Sequence, residues 1–269
     1  MLRIKNSQDI RYYLYVSDLK VDMLFEQVFT LGKRTRRGKV SLKAGPVNGS
    51  RETETEDREP DRDDKLRAVE DALASKNLVG TPQEPKEYFR GILPMRWGLY
   101  DDHDTRPDGY PPLVYFGGLD PTAPLIVGLG GSSVHVHGFQ GATSTHSRSA
   151  TPTLVEWLLS GISDDDGNLS ALRQKARVLG DGMLYEAIGI ALHYLRPPTQ
   201  QLEFLAKTIS VGTLHGLEHM TGLAAETKIV LGTPLYVQQT HMIPEDQLYG
   251  LDDEWQEHLN KLLPAASEA

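Results

Sequence analysis

Residues 125–138, LIVGLGGSSVHVHG, decide how the rest of the chain is read. An apolar run, Leu125–Leu129, reads as a buried strand. Gly130-Gly131 then suggests a turn or bulge, and Ser132–His137 alternates as a second extended piece. Gly128 and Gly130 open a G-x-G pattern, but Ser133 stands where a dinucleotide fingerprint needs its third glycine. The residues after the glycines alternate like a strand, whereas a phosphate loop must open a helix. No lysine precedes Ser132 or Ser133, so a Walker loop is excluded as well.

Working outward, strands are expected near 10–17, 87–99, 113–116 and 228–238. The glycines and proline of EYFRGILPMRWGLY, 87–100, place that strand at a bulge or an edge. Val21, Leu24, Phe25 and Val28 fall at helical spacing after Ser17-Asp18, with Gly32 as the expected stop. Leu66, Val69 and Leu73 predict a helix over 63–76. Further helices are expected after Thr151-Pro152, over 169–195, over 201–211 (Leu202, Leu205, Ile209) and over 245–263. Later in the chain, KIVLGTPLYVQQ, 228–239, reads as a strand, a turn at Gly232–Pro234, and a second extended piece. IVGLGGSSVHV (126–136) and IVLGTPLYV (229–237) echo one another, which raises a duplication with halves 1–145 and 146–269.

The fold class read from these elements is α/β or α+β, a mixed central β-sheet flanked by helices, in a single globular unit of 269 residues. Residues 46–64 have almost no apolar side chains and read as a flexible charged loop. The net charge of −9 argues against nucleic acid and membrane surfaces as partners. No apolar run approaches the ~20 residues of a membrane helix, and the first residues lack a secretory h-region. With no cysteine, a cytoplasmic setting is expected.

Several fragments together resemble a known family: RYYLYVSDLKVDML, YFRGILPMRWGLY, VYFGG, IVGLGGSSVHVHG, LEFLAKTI and VLGTPLYV. They are similar to an uncharacterised family of soluble actinobacterial proteins opening with RYYLYVSDxKVDML. The resemblance runs from Arg11 to about Val237, apart from 46–64, and it implies a compact bacterial cytosolic protein with no activity to transfer.

Three functions fit the residues. The leading one is binding or sensing of a small anionic or nucleotide-like molecule. Gly130 and Gly131 would supply backbone amides, Ser132 and Ser133 hydroxyls, and Arg96 with Trp97 charge and stacking. The second is a metal-dependent hydrolase or oxygenase in which His135 and His137, two apart on a strand, ligate one metal. His146, His193, or the His215/His219 pair would complete that site, although HGLEH is not the zincin H-E-x-x-H. The third is a scaffold without a small-molecule site. No G-x-S-x-G elbow exists around Ser132, so acyl transfer is disfavoured. The sequence assigns no cofactor and no oligomeric state.

Overall fold

The computed structural model describes residues 11–37, 60–100, 112–120, 122–139, 195, 198–213 and 225–240. The charged loop at 46–64, up to residue 59, lies outside them. So do the expected helices over 151–161, 169–195 (Leu195 apart) and 245–263. The chain forms two compact units, Ser17–Leu78 and the remainder.

The smaller unit holds α1 (Asp18–Arg37) and α2 (Arg62–Ser75). α1 runs through Gly32, the residue expected to stop it. One interior glycine costs only about 1 kcal/mol and does not end a helix by itself. α2 matches its expected span, with Leu66, Val69 and Leu73 buried. Asp61 caps it by accepting from the Asp64 amide at 2.9 Å. At the other end Asn77 takes φ 57°, and the Asn77 and Leu78 amides reach back to the Ala74 and Leu73 carbonyls. The ion pairs Arg62–Asp18 and Lys65–Asp22, both at 2.8 Å, join the two helices.

The larger unit is built from β1 (Tyr12–Val16), β2 (Val79–Gly80), β3 (Tyr88–Tyr100), β4 (Leu113–Leu119), β5 (Leu125–Ser132), β6 (Gln200–Thr213) and β7 (Lys228–Gln239). Pairing runs β3-β4-β5-β7, and β6 then joins β7 back to β3, closing a five-stranded barrel. The sheet is mixed: β5/β7 and β2/β3 are parallel and the other pairs antiparallel. The mixed sheet agrees with the sequence. The helix-flanked picture needs correcting, because α1 and α2 are the α-helices found among the described residues and the sheet is a closed barrel.

The largest correction is β6, expected as a helix over 201–211 and found as a strand. The helical spacing of Leu202, Leu205 and Ile209 coexists with a period of two, in which Leu202, Phe204 and Ala206 join the core cluster. Glu203 and Leu205, on the other face, are also buried, so a buried strand and an amphipathic helix fit the same letters. Pairing on both edges decides between them.

β7 is likewise one strand across Gly232–Pro234, where a turn was expected. One of its edges is shared: β5 pairs it up to Gly232, and pairing with β1 begins at Tyr236. Pro234 sits in the gap between those partners, where a missing N–H costs least. Pro94 similarly sits just before β4 starts pairing with β3 at Met95, but β3 lies within the barrel between β4 and β6 and is not the edge strand expected. The echo of 126–136 in 229–237 has a direct counterpart, since Ile126 pairs with Ile229 and Val127 with Val230 in parallel register. Parallel neighbours in one barrel present the same residue parity to the core, so both need the same pattern.

Phe89, Leu93, Met95, Phe116, Val127, Leu129 and Phe204 fill the barrel, with Trp97 packed against them. Phe89 and Phe204 meet edge-on at 5.6 Å, and Trp97 stacks on Phe116 at 5.9 Å. Glycines stand where these rings need room. A Cβ at Gly232 would lie 2.8 Å from the Phe89 ring, and one at Gly131 would lie 2.7 Å from the Tyr15 ring. Gly131→Ala is therefore expected to destabilise by about 1–3 kcal/mol through overpacking. Val134→Ala, at a half-open position, should stay within about 0.5 kcal/mol. Thermal melts of the two variants check the contrast.

Candidate functional site

β5 ends at Ser132, and Ser133–His135 form a single 3-10 turn. The expected extended piece over 132–137 is thus absent, and with it the alternation that would set Ser133, His135 and His137 on one face. The reason lies in the neighbouring strand. β7 turns its edge over to β1 beyond Gly232, so β5 has no β7 partner past Leu129 and bends away. The bent segment is caught by β1 instead: Tyr15 bridges Val136, and the His137 amide donates to the Leu14 carbonyl at 2.9 Å. The Ser133 amide donates to the Pro112 carbonyl at 3.0 Å.

Gly130 and Gly131 are not a turn. They continue β5, opposite Tyr115 and Val114, and Gly138 is the described glycine with positive φ, at 79°. At Gly131 smallness makes room for a side chain, since the Tyr15 ring lies over it. Ser132 and Ser133 follow at the end of the strand. Their Oγ atoms are buried with no hydrogen-bond partner among the described residues. Ser133 is 0% exposed. His135 is half-buried and meets the Tyr15 ring edge-on at 5.7 Å, while His137 is exposed. The end of β5 therefore carries two buried serine hydroxyls, and just beyond it the His135 imidazole meets the Tyr15 ring.

Arg96 and Trp97 do not act together, because successive strand residues face opposite ways. Trp97 packs into the barrel on Phe116, whereas Arg96 lies on the outer face and is 2% exposed. The Arg96 guanidinium donates to Thr199 Oγ1 at 3.0 Å and to the Leu195 carbonyl at 3.5 Å. Among the described residues no group of three His, Asp or Glu gathers in a way that could hold a metal. His146, His193, His215 and His219, the candidate third ligands, lie outside the described residues.

Sequence reading missed a second polar cluster on the outer face of the barrel. Glu203 of β6, 8% exposed, accepts from Arg90 Nε at 2.8 Å and also from the Arg90 NH2 group. It further accepts from Gln238 Nε2 at 2.7 Å and from the Tyr236 hydroxyl at 3.1 Å. The signal was a polar residue set in or at the end of each apolar strand: Arg90 in YFRGIL, Glu203 in LEFLA and Gln238 in LYVQQ. Assigning 201–211 to a helix separated them.

Burial alone would push the Glu203 carboxyl up. The hydrogen bonds from Arg90 and Gln238, the Arg90 charge and the Tyr236 hydroxyl together outweigh it and hold the carboxyl below its ordinary 4.5. A carboxyl lowered on folding stabilises the fold fully above its unfolded value and loses that contribution as pH falls through its folded value. Glu203→Gln is expected to cost about 1–3 kcal/mol at neutral pH. The gap from the native chain should narrow as pH falls below the ordinary carboxylate range, because the native carboxyl takes up its proton only there. Urea denaturation of both proteins from about pH 7 down to about pH 3 measures this, and a gap that widened on acidification would contradict it.

No helix among the described residues is long and apolar enough to cross a membrane. A family model described as a family of unknown function, DUF7019, matches residues 11–241. No curated protein and no solved structure matches the chain.

Proposed function

The chain belongs to DUF7019, a family of unknown function, and on that footing we propose that it is a binding or sensing protein for a small anionic or nucleotide-like molecule. The ligand sits at the end of β5 (Leu125–Ser132), against Ser132 and Ser133. One observation carries this reading: the two consecutive serine hydroxyls are buried without a hydrogen-bond partner among the described residues. A buried hydroxyl left unmatched costs about 1–3 kcal/mol, and alanine would fill nearly the same volume without that cost. Polar groups kept at a loss to stability are expected where a ligand supplies the missing bonds. Hydroxyls donate to anionic oxygens, and the half-buried His135 beside Tyr15 adds a second donor to such a group.

The amide-nest part of the sequence reading gives way to the hydroxyls, since Gly130 and Gly131 belong to the β4/β5 ladder. The setting that goes with this proposal is the bacterial cytoplasm, in keeping with a cysteine-free chain and the actinobacterial resemblance.

A thermal-shift screen of nucleotides, inorganic anions and divalent metals tests the reading. The Ser132→Ala/Ser133→Ala double variant is expected to melt no lower than the native chain yet to lose the ligand-induced rise in Tm. A ligand response that survives both substitutions would overturn the assignment. Stoichiometric metal that disappears in His135→Ala/His137→Ala would move the function to the metal-dependent alternative.

A further inference from the structure

The larger unit has a further buried polar atom that the serine site does not use. Gln238 is 6% exposed, and its Oε1 has no hydrogen-bond partner among the described residues. Its Nε2 donates to Glu203 Oε2 at 2.7 Å. That bond fixes the amide's orientation, because turning it over would set Oε1 against a carboxylate oxygen. Arg90 and Tyr236 donate to Glu203 Oε1, so Gln238 Nε2 is committed to Oε2. The Oε1 acceptor of Gln238, itself buried, is left without a donor among the described residues.

The surroundings of that acceptor share one face of the sheet. Register places Gln238 directly between Glu203 of β6 and Tyr13 of β1, and directly paired residues point the same way. The half-buried Tyr13 ring meets the Tyr236 ring edge-on at 5.8 Å. Arg11 is half-buried, and its NH1 donates to the Tyr13 hydroxyl at 3.3 Å. An aromatic surface and a cation thus flank a fixed, unmatched acceptor.

We propose that this face is a second binding site, for an anionic molecule that carries a planar base with an exocyclic amine. The amine donates to Gln238 Oε1, the base lies against Tyr13, and the anionic group meets Arg11. A glutamine carbonyl is a good acceptor for a base amine, a tyrosine ring accepts any base by stacking, and a guanidinium pairs with phosphate. Nucleoside monophosphates have this composition. The site uses no atom of Ser132 or Ser133, so it stands or falls apart from the serine site.

Thermal shift with adenosine monophosphate tests it, with purine riboside 5′-monophosphate (which lacks the exocyclic amine) and inorganic phosphate as comparisons. Adenosine monophosphate at saturation is expected to raise Tm by about 5 °C, and the other two by much less. Gln238→Met should melt somewhat below the native Tm, because Glu203 Oε2 loses its donor, and should lose the response, whereas Ser132→Ala/Ser133→Ala should keep it. Arg11→Met, at the edge of the site, should weaken binding roughly tenfold and reports on the site even where Gln238→Met does not fold. Equal shifts from all three compounds, no shift with adenosine monophosphate, or a response retained in Gln238→Met would each overturn the proposal. So would a response lost in the serine variant.

Discussion

The barrel depends on β6 being held along both edges. Leu202–Lys207 pair with β3 on one side and with β7 on the other, and this double ladder closes the sheet. A strand in that position has no solvent edge and buries both faces, as residues 202–206 do. Closure at five strands leaves an interior that side chains must fill completely, so large rings alternate with glycines across facing positions. Gly232 against Phe89 and Gly131 against Tyr15 are two instances. Gly131 and Gly232, which read as turn residues, instead make room for aromatic rings.

The second constraint is the divided edge of β7. β5 occupies its first half and β1 its second, and neither reaches across 233–235. Two consequences come from that handover. Pro234 finds a place in a long strand, and β5 must leave the sheet at Ser132 and bend. The bend carries Ser132, Ser133 and His135 to the end of the barrel, where β1 holds them through Tyr15 and Leu14. The serine site is thus produced by strand competition for one edge, and local turn chemistry has little part in it.

Outside the barrel, polarity is concentrated on a few positions. Glu203 gathers donors from β3 and β7, tying together the strands that flank β6. Most of these groups are matched, as buried polar groups must be. Among the described residues of the larger unit the exceptions are Ser132 Oγ, Ser133 Oγ and Gln238 Oε1. They lie at or just past the ends of β5 and β7, at two separate places on the barrel. Unmatched atoms confined to such places carry more information than the same number scattered through a core.

By itself the sequence determined the positions of most strands, the α2 helix with its buried Leu66, Val69 and Leu73, the mixed character of the sheet and the importance of Leu125–Gly138. These come from periodicity and turn residues, which act within a few neighbours along the chain. Tertiary structure alone decided that β6 is a strand, that β7 passes straight through Gly232–Pro234, and that Arg96 and Trp97 part company. Residues buried on both faces satisfy helix and strand periods equally, and glycine serves a turn or a close contact equally well. Only the partner across the sheet, distant in sequence, removes that ambiguity. The same partners determined which polar atoms were left without bonds, and so where binding is proposed.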